Sequence, residues 1–197
     1  MDFVVQVDRL PAPGETTLGA NFRMIPGGKG ANQANAAGKL ARQGLVRMIG
    51  CVGEDPFAGH LKASLINSGV DVAAVSECAG QATGVALIWV EKSGQNSIVV
   101  ASGANNLVTP AGVAVVRHLF NTAACALFQL ETPLDAVEAA LSAARAAGAM
   151  TIFDPAPARP LPASLLALVD VMTPNETEAS ILLGRTPERL TPEQAPQ

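Results

Sequence analysis

The apolar positions alternate between two spacings. Phe3 to Val7 reads as a short strand and is followed by the turn Pro11-Ala12-Pro13-Gly14-Glu15. Thr16 to Ile25 reads as extended chain. An Ala-rich stretch from Ala31 to Gln43 is built of good helix formers and meets Gly44, a residue suited to the C′ position. Leu45 to Val52 has the apolar content of a buried strand. Asp55-Pro56 reads as an N-cap with Pro in the first turn, and Phe57, Leu61 and Leu65 follow at helical spacing up to Gly69. Val70 to Val75 reads as a further strand. Thr83 to Val90 and Ser97 to Ala101 are strand-like and are joined by the loop 91–96, a hairpin signature.

From Pro110 onward the alternation is regular. A helix over Pro110 to Leu119 precedes a strand over Ala124 to Leu130. A helix over Pro133 to Ala147 places Leu134, Val137, Leu141 and Ala144 on one face. Next come a strand over Ala149 to Phe153, a Pro-rich loop from Asp154 to Pro162, and a helix near Ala163 to Leu168. A strand over Val169 to Met172 and a helix over Pro174 to Leu183 complete the series. Five Thr-Pro pairs, at Thr109, Thr132, Thr173, Thr186 and Thr191, read as helix starts. Glu176 three residues beyond Thr173 suggests a capping box there, and Asp135 beyond Thr132 a weaker one. The two signals after Arg185 have no apolar run behind them, as in a chain cut before its next element. Alternating strands and helices predict an α/β fold with a largely parallel sheet. The hairpin near 83–101 and the early extended piece predict a small sheet standing off the main one.

Composition narrows the class. The 197 residues are 49% hydrophobic and only 15% charged, against a usual charged share of about 25%. Disorder, which needs low hydrophobicity and high charge, is excluded. Net charge is −4 with no basic run, so a nucleic-acid partner is not expected. No apolar stretch has the length of a membrane helix, and Met1-Asp2-Phe3 does not open a signal peptide. Three widely spaced cysteines, Cys51, Cys78 and Cys125, read as free thiols of a reducing, cytoplasmic setting. His60 and His118 make no zinc spacing.

Candidate chemistry gathers in Pro26-Gly27-Gly28-Lys29-Gly30-Ala31-Asn32-Gln33-Ala34-Asn35. It is not a P-loop, since no Ser or Thr follows Lys29. It is not a dinucleotide fingerprint, since Gln33 stands where the third glycine belongs; this disfavours a nicotinamide-linked dehydrogenase. Two readings fit. One is a tight turn with a surface Lys. The other is a glycine loop that lets backbone approach a ligand, with a helix start behind it and with Lys29 and Asn32 as directed polar groups. The second suits a polyhydroxylated small molecule.

A further set is positional. Ligands of open α/β sheets lie beyond the carboxyl ends of the strands. Glu131, Asp154, Glu54, Asp55 and Asn175 all follow predicted strands. Each also has a structural reading: Asp55 as a cap, Asn175 as a first-turn residue, Asp154 as a turn former, Glu131 as a solvated loop acid. No Gly-x-Ser-x-Gly elbow occurs, and neither His has an evident nucleophile partner. Trp89 reads as packing.

Together these motifs resemble the ribokinase (PfkB-type) family of carbohydrate kinases. The resemblance is carried by Gly27-Gly28-Lys29-Gly30-Ala31-Asn32-Gln33-Ala34, Pro13-Gly14-Glu15-Thr16, Thr83-Gly84-Val85-Ala86-Leu87-Ile88 and Gly103-Ala104-Asn105. Gln129-Leu130-Glu131-Thr132-Pro133, Pro155-Ala156-Pro157-Ala158 and Thr173-Pro174-Asn175-Glu176-Thr177-Glu178-Ala179 follow in order, so it extends to about Gly184. It implies a single, incomplete Rossmann-like α/β domain, its largely parallel sheet flanked by helices, with a β-sheet lid formed near 14–25 and 83–101. It implies ATP-dependent phosphorylation of D-ribose on its 5-hydroxyl, with Mg²⁺ and a monovalent cation such as K⁺, in a homodimer joined through the lid. Sugar contacts would fall to Asp2, Gly28, Lys29, Gly30, Ala31, Asn32 and Glu131. Nucleotide-side contacts would fall to Asn175 and Glu178, the latter linked to metal and phosphates.

The departures from the family pattern are specific. The strand ending Gly-Ser-x-Asn ahead of Asp2 is missing, and so is the Gly-Ala-Gly-Asp motif that carries the catalytic Asp. Asp154 stands where Asn is expected. The expectation is therefore a ribokinase shortened at both ends, without its catalytic residue and inactive alone. The alternatives are a kinase of another sugar or nucleoside, or a non-catalytic sugar-binding or dimerisation fragment.

Overall fold

The computed structural model describes residues 1–186. Two compact units divide the chain, Met1–Leu107 and Val108–Gln197.

The first unit begins with strand β1 (Asp2–Val7) and strand β2 (Ala20–Ile25). Helix α1 (Lys29–Leu40) leads to the short strands β3 (Val46–Arg47) and β4 (Gly50–Gly53). Helix α2 (Pro56–Asn67) precedes β5 (Val70–Asp71) and β6 (Val75–Cys78). The hairpin strands β7 (Val85–Glu91) and β8 (Asn96–Ala101) close the unit, with a 3₁₀ turn over Gly103–Leu107.

The predicted stand-off sheet is present and larger than expected. Its order is β2-β1-β7-β8. β1 lies at its centre, antiparallel to β2 and parallel to β7, and β7 pairs antiparallel with β8. Residues 14–19 add no strand. The two runs expected as single strands, Leu45 to Val52 and Val70 to Val75, are each broken in two. β3 pairs with β5 and β4 with β6, both parallel, in separate sheets. The break has a local cause. The Asp71 carboxylate accepts the N–H of Ala73 at 2.9 Å, and Val75 N–H turns back to Val72 O at 2.9 Å. This side-chain turn competes with ladder pairing.

Helix α1 starts at Lys29, two residues before the expected Ala31, because Gly28 takes the cap position at φ 99°. It ends at Leu40, before the expected Gln43, with Ala41 extended. The following turn is held from outside the helix, by Gly44 N–H on Gly69 O. Midway, a methyl group on Gly38 would overlap Ser68 O, so only glycine allows that approach. Helix α2 buries Ala58, Leu61 and Leu65. Phe57 packs beside them, its ring edge-on to Phe3 with centroids 5.3 Å apart.

The second unit contains helix α3 (Pro110–Val115), a 3₁₀ turn (Arg117–Thr122), strand β9 (Cys125–Phe128), helix α4 (Leu134–Ala146) and strand β10 (Met150–Phe153). Helix α5 (Ala163–Leu166), strand β11 (Val171–Met172) and helix α6 (Glu176–Leu182) follow. The sheet order is β11-β10-β9, all parallel. α4 packs on β9 and β10. It is rich in Ala, Leu, Glu and Arg, has Asp135 in its first turn and Arg145 in its last, and so satisfies both propensity and dipole. Val137, Leu141 and Ala144 are buried as expected. Leu134, the fourth residue of the predicted face, is only half-buried.

The helix-start expectations divide. Thr109 caps α3 by accepting Gly112 N–H at 3.1 Å. Thr132 does not cap α4: Pro133 holds that place without a side-chain bond. Thr173 does not cap α6: the capping box lies two residues later, on Asn175 and Glu178. The starts expected at Thr186-Pro187 and Thr191-Pro192 extend outside the described residues.

Leu141, on the buried face of α4, is fully buried. Truncation leaves a cavity and loses transfer free energy, so Leu141→Ala lowers the unfolding free energy by about 3 kcal/mol. Urea denaturation followed by circular dichroism measures it.

Candidate functional site

Two groups of candidate residues are organised by the backbone, one in each unit.

In the first unit, β1 and β2 pair Asp2 with Ile25. The chain leaving β2 therefore passes Asp2 as it enters the glycine loop. Gly27 is buried, and a methyl group there would overlap the Asp2 carboxylate. Gly28 sits at φ 99°, a conformation an L side chain resists, and α1 starts directly behind it. Thus Asp2, Gly28, Lys29, Gly30, Ala31 and Asn32 share one locality, although Asp2 lies 26 residues before Gly28 in sequence. No side chain caps α1 and no acid lies in its first turn; Lys29 is its first residue. Lys29 and the N–H dipoles make that terminus positive, and the Asp2 carboxylate lies beside it at Gly27. Asn32 is exposed, and its N–H joins the helix through Gly28 O at 2.8 Å. One turn further, Asn35 Oδ1 is buried without a hydrogen-bond partner.

In the second unit, Glu131, Asp154 and Asn175 follow β9, β10 and β11. Because the three strands are parallel, all three residues lie at the carboxyl edge of that sheet. The loops are cross-tied there. Asp154 N–H donates to Phe128 O at 2.9 Å, Leu130 N–H to Ala156 O at 3.0 Å, and Thr173 N–H to Phe153 O at 3.0 Å. Glu131 and Asp154 are both half-buried. Asn175 Oδ1 accepts Glu178 N–H at 2.8 Å, and Glu178 Oε2 accepts Asn175 N–H at 2.8 Å. Asn175 is therefore a helix cap rather than a first-turn residue. Its Asn-x-x-Glu spacing signals this box directly; the neighbouring Thr-Pro pair matches the same rule and masks it. Among the described residues, no three His, Cys, Asp or Glu side chains gather to hold a metal.

Asp55 is a cap, as one of its two readings held, and it does more. Its Oδ1 accepts the N–H groups of Phe57 at 3.0 Å and Ala58 at 3.2 Å. Its two oxygens also accept the N–H and hydroxyl of buried Thr83, at 2.6 and 2.7 Å. Partial burial opposes ionisation of Asp55, but these donors outweigh it and hold the carboxyl below its ordinary range. The Thr83 contact spans 28 residues and had no signal in the sequence.

The chain belongs to the pfkB family of carbohydrate kinases, whose pattern matches residues 1–197. It is 42% identical over 183 residues to the ribokinase of Haemophilus influenzae, covering 93% of this chain and 59% of that protein. It is 34% identical over 185 residues to the deoxyribokinase of Salmonella typhi, covering 93% of this chain and 60% of that protein. The structure of Arabidopsis thaliana ribokinase complexed with ribose and ATP superposes with a TM-score of 0.84 at 33% identity, over 98% of this chain and 62% of that one. The chain thus spans about 60% of the length of the curated relatives it matches. No described helix is long and apolar enough to cross a membrane.

The Asp55 linkage has a sign. A carboxyl whose folded pKa is depressed adds stability above its unfolded value and loses it as pH falls through the folded value. Asp55→Asn replaces one accepting oxygen with an amide NH2, loses one of the two Thr83 bonds, and lowers stability at neutral pH by about 1 kcal/mol. The deficit against wild type shrinks as pH falls below about 4. Unfolding curves of both proteins at several pH values measure the difference.

Proposed function

We propose that this chain carries the substrate-binding part of an ATP-dependent kinase of D-ribose. The observation that carries the reading is the Asp2 carboxylate set against the backbone of Gly27, at the entrance to Gly28-Lys29-Gly30-Ala31-Asn32. A sugar offers vicinal hydroxyls that both donate and accept. Asp2 supplies an acceptor, Lys29 a charged donor, and Asn32 both. The glycines let the ring lie against backbone, and the uncapped start of α1 favours electron-rich oxygen. Glu131 serves as a further sugar acceptor in this reading.

Asn175 and Glu178 serve the nucleotide side. Their capping box fixes the start of α6, and Glu178 spends Oε2 on that cap, leaving Oε1 for any phosphate-side contact. A carboxylate suits a magnesium-bound phosphate. Magnesium, where bound, neutralises charge on the phosphates during transfer to the 5-hydroxyl. A monovalent cation completes the set, with no residue of this chain assigned to it. None of these residues is proposed as the catalytic base.

The four-stranded sheet is proposed as the lid and as a contact between two copies. Met24, Leu87 and Val99 lie in one row across three of its strands, from the pairings Phe3 with Met24 and Leu87 and Leu87 with Val99. They are 55%, 42% and 56% exposed. A row of exposed apolar side chains on a sheet favours a like partner.

Titration calorimetry tests the sugar reading. D-Ribose binds, and Lys29→Ala or Asp2→Ala weakens it about tenfold, the loss of one charge-assisted hydrogen bond. Tighter binding of 2-deoxy-D-ribose than of D-ribose would reassign the substrate, and absence of heat with any pentose would remove the reading. Sedimentation velocity tests the contact: the chain sediments as a dimer, and Val99→Asp shifts it to monomer.

A further inference from the structure

All three cysteines carry free thiols, and two of them meet. β4 and β6 run parallel, with Cys51 paired to Ser76 and Cys78 paired to Gly53. Paired residues of a parallel ladder share a face, so Cys51 and Cys78 lie on one side as diagonal neighbours. Gly53 sets no side chain between them. Both residues are half-buried, and their thiols are close enough to interact. Cys125 belongs to the other unit and is exposed.

We propose that Cys51 and Cys78 form a reversible dithiol–disulfide pair that hydroperoxides oxidise. Nothing in the sugar or nucleotide reading uses either residue. Their chemistry is unequal. Burial first, and the contact with Cys78 second, push the Cys51 thiol up to about 11. Burial holds Cys51 as a thiol, and in this proposal Cys78, the last residue of β6, takes the first attack. The Cys78 sulfur displaces water from the peroxide O–O bond and becomes a sulfenic acid. The Cys51 sulfur then attacks it. The S–O bond breaks, the leaving hydroxide takes the Cys51 proton, and a second water departs. Two thiols and one hydroperoxide give one disulfide and two waters, or one water and one alcohol from an organic peroxide.

The register adds a property. Parallel strands about 4.8 Å apart with a rise of about 3.3 Å per residue put Cα atoms two residues out of register roughly 8 Å apart, whereas a relaxed disulfide needs about 4.4–6.8 Å. Closing the bond draws Cys51 toward Cys78 by about 1 Å. A bond made under such strain is readily reduced, as a reversible couple requires. Cys78 and its pair Gly53 close the two strands beside the joint into the four-stranded sheet. Gly53 N–H donates to Thr83 Oγ1 at 2.9 Å, and Glu54 N–H to Gln81 O at 2.9 Å.

The test treats the purified chain with hydrogen peroxide and then counts thiols after denaturation. The count falls from three to one without formation of linked dimers, and dithiothreitol restores three. Tryptic mapping finds residues 48–62 joined to residues 63–92, the peptides that hold Cys51 and Cys78. Cys125→Ser leaves that link intact, and Cys78→Ser abolishes it. Three thiols remaining after treatment would overturn the proposal. So would a link through Cys125, or conversion of Cys78 to sulfinic acid with Cys51 still a thiol. The peptide map of the unmodified chain decides the matter even if a variant fails to fold.

Discussion

The first unit depends on what the buried Thr83 side chain joins. Its hydroxyl donates to Asp55 and accepts Gly53 N–H, while its backbone N–H reaches the other Asp55 oxygen. One side chain thereby links the end of β4, the cap of α2 and the entry to β7. β7 carries β1, and β1 carries Asp2 to the glycine loop. The charged Asp55 is tolerated there because four donors reach its carboxylate, three on Oδ1 and one on Oδ2. Glycine at 53 is part of the same joint, because a methyl group would overlap the backbone of residues 81–83.

The candidate residues were legible to different degrees. The loop from Gly28 to Asn32 could be read directly, since glycines, a helix start and polar residues are adjacent in the chain. Asp2 could be placed beside it only through family resemblance, because nothing local connects residue 2 to residue 27. The pairing of β1 with β2 makes that connection. Glu131, Asp154 and Asn175 were legible as residues after strands, and parallel pairing is what turns three separate loops into one edge. The contact of Cys51 with Cys78 was not legible at all: 26 residues separate them, and only the β4–β6 register puts them on one face.

The secondary structure shows the same division. Asp55-Pro56 was readable as a helix start because the cap bonds lie within three residues. Thr132 and Thr173 carry the same Thr-Pro signal and cap nothing. Proline after a cap residue is permissive, and a neighbouring extended residue can take the position instead. Asn175 did so because Glu178 completes the reciprocal bonds. The helical face of α4 was mostly legible because period alone defines it, with Leu134 at its margin.

The amino-acid sequence by itself determined the element types, the glycine loop, the buried face of α4 and the α/β class. These follow from propensity, periodicity and caps, which act over a few residues. Tertiary structure decided that β1 enters the four-stranded sheet. It also decided that Asp2 meets Gly27 and that Asp55 holds Thr83. Each of these needs a partner far along the chain, which no pattern of neighbouring residues specifies.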